Sequence, residues 1–202
     1  MKIEGFFKIK YKNGKHIHQE GICEIKDILD KENVISVGIE GKANFIKLKA
    51  KTLNLCGEFK GNEIIGEDIF IDGQIKMSLI TTDKLDIILS DNKDSKIDSI
   101  ICNKLLVKTR NKEQHPIMDN YFKKLFSEFN RCQKNKNSIL WIDNIKADIV
   151  EVTNCCIDKI EAKYVIVNDN CKINKVFYKE LIIKGKNTII KEKFNLKEGE
   201  EE

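Results

Sequence analysis

The chain repeats one five-residue pattern three times, as Val37-Gly38-Ile39-Glu40-Gly41, Leu53-Asn54-Leu55-Cys56-Gly57 and Ile69-Phe70-Ile71-Asp72-Gly73. Each copy begins sixteen residues after the one before and alternates apolar positions with variable ones before its glycine. A fourth copy without the glycine, Leu85-Asp86-Ile87, follows at the same interval. Short alternating strands at a fixed interval are typical of a chain that stacks coils and buries a common apolar stripe. The pattern therefore predicts a mainly β protein, a β-solenoid.

Aligned coils give apolar columns that we expect to run up the interior of the stack. In the first half the columns are Val37, Leu53, Ile69, Leu85; Ile39, Leu55, Ile71, Ile87; and Ala43, Phe59, Ile75. In the second half they are Val150, Val165, Leu181; Val152, Val167, Ile183; Ile142, Ile157, Ile173, Ile189; and Ile145, Ile160, Val176. Since inward residues alternate with outward ones along a strand, two or three columns predict two or three strands per coil.

Between the two halves the periodicity stops. Residues 108–137 carry eight basic and three acidic side chains, and Pro116 opens a run of apolar residues spaced every four positions. Proline at a first helical position and this spacing predict a basic amphipathic helix. The helix either covers an edge or end of the solenoid or presents its aromatic and basic side to a partner or a membrane surface. The candidate partner-binding residues are Tyr121, Phe122, Lys123, Lys124 and Phe126.

The sequence thus predicts four parts. Residues 1–107 form an amino-terminal β-solenoid, 108–137 the helical insertion and 138–194 a carboxy-terminal β-solenoid. Residues 195–202 are acidic and poor in apolar side chains, which predicts a disordered tail.

The composition argues against most kinds of chemistry. The net charge of +4 is too small to indicate a nucleic-acid partner, and the amino terminus has no apolar run of the length that an export signal needs. We therefore expect a cytoplasmic protein. With three histidines, no C-x-x-C pair and no glycine-rich phosphate loop, the sequence predicts no catalytic residues, no metal site and no cofactor. It does not exclude an enzyme, because an active site can be grafted on any fold.

The repeats also resemble a known family. The array from Val37-x-Ile39-x-Gly41 to Ile69-x-Ile71-x-Gly73 resembles the bactofilins, which are bacterial cytoskeletal proteins. The stretches at 138–150 and 168–178 are similar to the longer cytoplasmic bactofilin-like proteins of Gram-positive spore formers. The resemblance implies a right-handed β-helix that stacks end to end into filaments without nucleotide, as a scaffold near the membrane. The helical insertion and the few strand-following glycines of the second array depart from the family pattern.

Two functions follow as hypotheses. The first is a non-enzymatic scaffold that self-assembles through solenoid ends or edges, with Phe6, Phe7 and Tyr11 as the candidate assembly interface. Its partners are further copies of itself, with a membrane surface or envelope-associated proteins nearby. The alternative is a monomeric binding module that docks through its basic aromatic helix on a membrane surface or an acidic partner.

Overall fold

The computed structural model describes residues 3–4, 7–12, 16–25, 29–30, 36–90, 93–109 and 138–196. These residues form eleven strands and no helix. In chain order the strands are β1 (Ile3–Glu4), β2 (Phe7–Lys12), β3 (His16–Ile25), β4 (Leu29–Asp30), β5 (Ser36–Lys49), β6 (Thr52–Leu89), β7 (Ser95–Thr109), β8 (Leu140–Val152), β9 (Cys155–Val167), β10 (Lys172–Ile183) and β11 (Ile189–Asn195). The predicted helical insertion and the predicted acidic tail lie almost wholly outside the described residues. So do the candidate partner-binding residues of the insertion, Tyr121, Phe122, Lys123, Lys124 and Phe126.

The strands wind into a parallel β-solenoid of about eight turns, which confirms that the protein is mainly β and a solenoid. The right-handed winding and the helical insertion stay predictions. Strands β3, β5, β6, β7, β8, β9, β10 and β11 follow one another in a single sheet, and each pairs in parallel with its neighbours. Val37 of β5 lies beside Leu53 of β6, so one coil is sixteen residues long at this point. Strand β6 is 38 residues long and therefore runs through more than two coils.

The interior columns lie where the repeat alignment places them. Leu53, Leu55 and Leu85 have no exposed side-chain surface, and Ile69 is 2% exposed.

In the second half Val150 and Val152 are fully buried, but the same columns are wrong at their last members, since Leu181 is only partly buried and Ile183 is 45% exposed. Strand β11 ends beside Tyr178 and so does not reach them. Along each strand buried residues alternate with exposed ones, because neighbouring side chains point to opposite faces of the sheet. Burial of this continuous apolar column is the main source of stability.

A glycine column marks one corner of the early coils. Gly41, Gly57 and Gly73 have φ angles of +117°, +134° and +144°, which side chains of L-residues rarely adopt. A Cβ atom on Gly57 would lie 1.9 Å from the carbonyl oxygen of Gly41 in the coil below. The strand-following glycine of the repeat is thus required twice, by the backbone angle and by the close approach of two coils.

The two arrays stack directly on each other. Strand β7, the last of the first array, pairs in parallel with β8, the first of the second, and Ile97 lies beside Ile142. All interior residues from Val37 to Val176 belong to one hydrophobic cluster. The 45-residue offset between Ile97 and Ile142 includes residues 110–137, which lie outside the described part of the chain. The core is therefore continuous across the interruption in the sequence repeat.

One predicted column is wrong at its last member. Ile190, rather than Ile189, lies beside Ile173, while Ile189 lies beside Lys172 and is 57% exposed. The last corner is one residue longer than the sixteen-residue spacing assumes, because the chain turns through Lys184–Thr188 before β11 begins. This shift changes which side chains close the carboxy-terminal end.

Candidate functional site at the ends of the solenoid

The amino-terminal end of the parallel stack is covered by strands of opposite direction. Strand β2 pairs antiparallel with β3 from Phe7 beside Gly21 to Lys12 beside Ile17, and β1 pairs antiparallel with Ile25 and Glu24. The pairing of β2 has a register shift between Ile9 and Tyr11. Such bulges and short edge strands are devices that keep sheet edges from pairing with other chains.

The predicted assembly interface lies in this covering layer. Phe7 and Tyr11 belong to β2, whereas Phe6 and the side chains of all three lie outside the described residues. Their role as an interface therefore stays a prediction, and the backbone places two of them on the strand that covers the edge of β3.

At the carboxy-terminal end, polar residues occupy interior positions of the last coil. Lys193 lies beside Val176, in the column that Ile145 and Ile160 occupy in the coils below. Val176, Ile145 and Ile160 are nearly or fully buried. The long methylene stem of a lysine can cover apolar surface while its ammonium group reaches water. An inward-pointing charge at a sheet edge also opposes pairing with another chain. Asn195 lies beside Tyr178 in the same way. Strand β11 thus covers the edge of β10 from Lys172 to Tyr178, while its own side chains, apart from the partly buried Ile190, are exposed.

The third face of the last full coil remains uncovered by the described residues. Strand β11 pairs with β10 only as far as Tyr178, so the outer edge of Glu180–Ile183 has no strand beside it among the described residues. Leu181 and Ile183 continue the interior columns of Val165 and Val167, yet Ile183 is 45% exposed. The adjoining Ile182 is 46% exposed on the outer side. We call this segment, Glu180–Ile183, the bare edge.

The sequence itself contains the pattern that marks this end of the solenoid. The third-face columns stop at Leu181 and Ile183, and extending the other columns past Val176 reaches the polar pair Lys193 and Asn195. The sequence analysis instead placed the candidate interface at the amino-terminal aromatic residues.

A groove of about 850 Å³ runs along one side of the late coils. Trp141, which is 48% exposed, lies in its wall with Asp143 and Asp158. Asn154, Asn170 and Asn187 form its corner, in the left-handed region with φ near 55°. Their side-chain amides form a ladder, since Asn170 Nδ2 donates to Asn154 Oδ1 at 3.0 Å and Asn187 Nδ2 to Asn170 Oδ1 at 3.4 Å. These amides therefore hydrogen-bond to each other, which gives them a structural role at the corner.

The described cysteines behave as interior apolar residues. Cys155 and Cys171 are fully buried in one column and are free thiols, while Cys156 points to the opposite face of its strand. Burial raises the pKa of Cys155 well above its usual value, and that of Cys102 to about 12. Both thiols stay protonated near neutral pH and are poor nucleophiles. Within the ranges that the structure covers, no three His, Cys, Asp or Glu side chains cluster as metal ligands.

Two further findings complete the description. Searching the described part of the chain for a long apolar helix able to span a bilayer finds none. Comparison with known proteins returns no matching family model, no matching curated protein and no matching solved structure. A function for this protein therefore has to be inferred from its fold and from the two ends of the solenoid.

Proposed function

We propose that this protein is a non-enzymatic structural scaffold that self-associates, without nucleotide, through the carboxy-terminal end of its solenoid. The observation that carries the proposal is the bare edge. Among the described residues no strand pairs with the outer edge of this segment, which also carries side chains of the interior columns, of which Ile183 is 45% exposed. An exposed apolar strand edge is a template for pairing with another chain, and an exposed end of a solenoid core is stabilised when a second surface covers it.

The asymmetry of the two ends supports an assembly of limited size. At the amino-terminal end β2 and β1 occupy the edge of β3, and only the two-residue β4 has no outer neighbour among the described strands. At the other end the described strands leave the four residues Glu180–Ile183 without an outer neighbour. An end with an exposed apolar edge can pair with the identical end of a second copy about a two-fold axis, and such a contact is closed at two copies. We therefore expect a pair of copies joined at their carboxy-terminal ends. A filament of the kind that bactofilins form would additionally require the covering strands to move away.

Sedimentation tests this function. We expect sedimentation velocity over a hundredfold range of concentration to show a reversible monomer–dimer equilibrium. Ile183→Asp places a charge in the interface and should give a monomer at every concentration. Ile149→Asp is the control, because Ile149 is exposed on the outer face of the same sheet in the middle of the stack, where no end is available. It should leave the equilibrium unchanged.

The remaining outcomes contradict the proposal. A wild-type protein that stays monomeric throughout the range does not self-associate. If that monomer pellets with anionic vesicles only at low salt, the binding-module function applies instead, since screening weakens attraction between a basic surface and anionic lipids. Filaments in negative-stain electron microscopy would show that both ends pair.

A further inference from the structure

We infer that the five residues Glu180-Leu181-Ile182-Ile183-Lys184 of one copy pair antiparallel with the same five residues of a second copy. The inference rests on the proposed function and specifies its interface. The segment begins with an acidic residue and ends with a basic one, and three apolar residues lie between them. Such an order is complementary to itself when it is read in the opposite direction.

The register follows from the sides on which the side chains lie. With Ile182 on the two-fold axis, Glu180 lies opposite the Lys184 of the second copy, and Leu181 lies opposite its Ile183. Leu181 and Ile183 both continue interior columns, while Glu180, Ile182 and Lys184 are exposed. Every pair therefore joins two inward residues or two outward residues, as cross-strand neighbours in a sheet must. The pairing also brings two ion pairs to the ends of the contact.

The competing registers and partners fit less well. A parallel pairing would place Glu180 beside Glu180 and Lys184 beside Lys184, where like charges repel. Pairing with β2 of another copy would join the bare edge to a strand whose register is interrupted between Ile9 and Tyr11. Lys193 and Asn195 take inward positions of the last coil, whereas both inward positions of the bare edge, Leu181 and Ile183, are apolar. The second copy thus meets its complement only in the antiparallel arrangement.

Charge reversal distinguishes this pairing from other contacts. Glu180→Lys should weaken self-association at least about tenfold, because two opposite-charge pairs become two like-charge pairs, and Lys184→Glu should do the same. An equimolar mixture of the two variants should recover a dimer of near wild-type affinity, since each variant then supplies the charges that the other lacks. Lys186→Glu is the matched control, because it makes the same change of charge at an exposed residue outside the segment.

A cross-link tests the register independently. Opposite residues of an antiparallel pair have Cα atoms about 4.5–5.5 Å apart, within the range that a disulfide bond spans. Ile182→Cys should therefore form a disulfide-linked dimer under mild oxidation. The wild-type chain, with its seven cysteines, is the background control, and Ile189→Cys, at a more exposed position (57% against 46%), is the control away from the axis.

The outcomes separate this inference from the function on which it rests. If the wild-type protein forms a dimer but neither charge variant changes its affinity, the protein self-associates through another surface and the pairing is wrong. If the mixture of variants stays monomeric, or if Ile189→Cys cross-links as fast as Ile182→Cys, the register is wrong. If the wild-type protein never associates, the proposed function itself fails.

Discussion

Replacing Gly57 by alanine tests the close stacking of coils on which the fold depends. A Cβ atom there would lie 1.9 Å from the carbonyl oxygen and 2.8 Å from the carbonyl carbon of Gly41, both backbone atoms that no side-chain rotation can move. The φ of +134° adds a backbone strain of about 1–3 kcal/mol for an L-residue. Relieving the overlap requires the two coils to separate, which weakens hydrogen bonds worth about 1 kcal/mol each.

Two weakened hydrogen bonds and the strain together give an expected loss of about 3–5 kcal/mol in the free energy of unfolding. Urea unfolding followed by far-ultraviolet circular dichroism measures this loss. Asn54→Ala is the matched control, because Asn54 is exposed on the same coil and a surface change of this kind costs within about 0.5 kcal/mol. A loss below about 1 kcal/mol for Gly57→Ala would refute the argument that coil contact at this corner excludes a side chain.

Two further predictions concern the amino-terminal end and the buried thiols. Phe7→Asp should leave both the far-ultraviolet spectrum and the dimer intact, because we place the contact at the other end; a folded monomer would instead support Phe6, Phe7 and Tyr11 as the interface. For Cys102, burial followed by the nearby charge of Asp148 raises the pKa to about 12 from an ordinary 9.0. The stability that this thiol contributes is complete below pH 9 and falls as the pH rises toward 12. Cys102→Ala should fold, since Ala147 lies beside it in the same column, and should make the loss of stability between pH 9 and 11 shallower in urea titrations. Equal slopes in both proteins would contradict this assignment.

The interior of the fold could be predicted from the sequence because coil stacking repeats the same environment at each turn. Leu53, Ile69 and Leu85 are apolar for one reason, burial in one column, so a fixed spacing reveals them. The spacing fails where a corner changes length, since corners face water and tolerate added residues. A single added residue before β11 moves Ile189 outward and Ile190 inward.

The ends were harder to predict because they lack that repetition. An end is defined by the coil that does not follow, and one sequence holds each end only once. In the sequence Lys193 looks like any exposed lysine. Its position beside Val176 becomes evident only from the strand register. The bare edge likewise contains apolar residues that the alignment assigned to the interior, as it did for Val165 and Val167. Whether such a residue is covered depends on the chain beyond it.

The structure fixes the two points at which residues 110–137 are attached to the solenoid. The chain leaves the stack after Thr109 and rejoins it at Ser138, whose hydroxyl group donates to the Ser90 carbonyl oxygen and accepts from the Lys93 amide at 3.1 Å. These bonds fix the return point at a corner on the side of the solenoid. Four strands, β8 to β11, lie between that corner and the carboxy-terminal end. The anchor points of residues 110–137, Thr109 and Ser138, therefore lie away from the bare edge. Because the interior columns run unbroken past this corner, we expect substitutions within the segment to leave the solenoid folded, which far-ultraviolet circular dichroism would check.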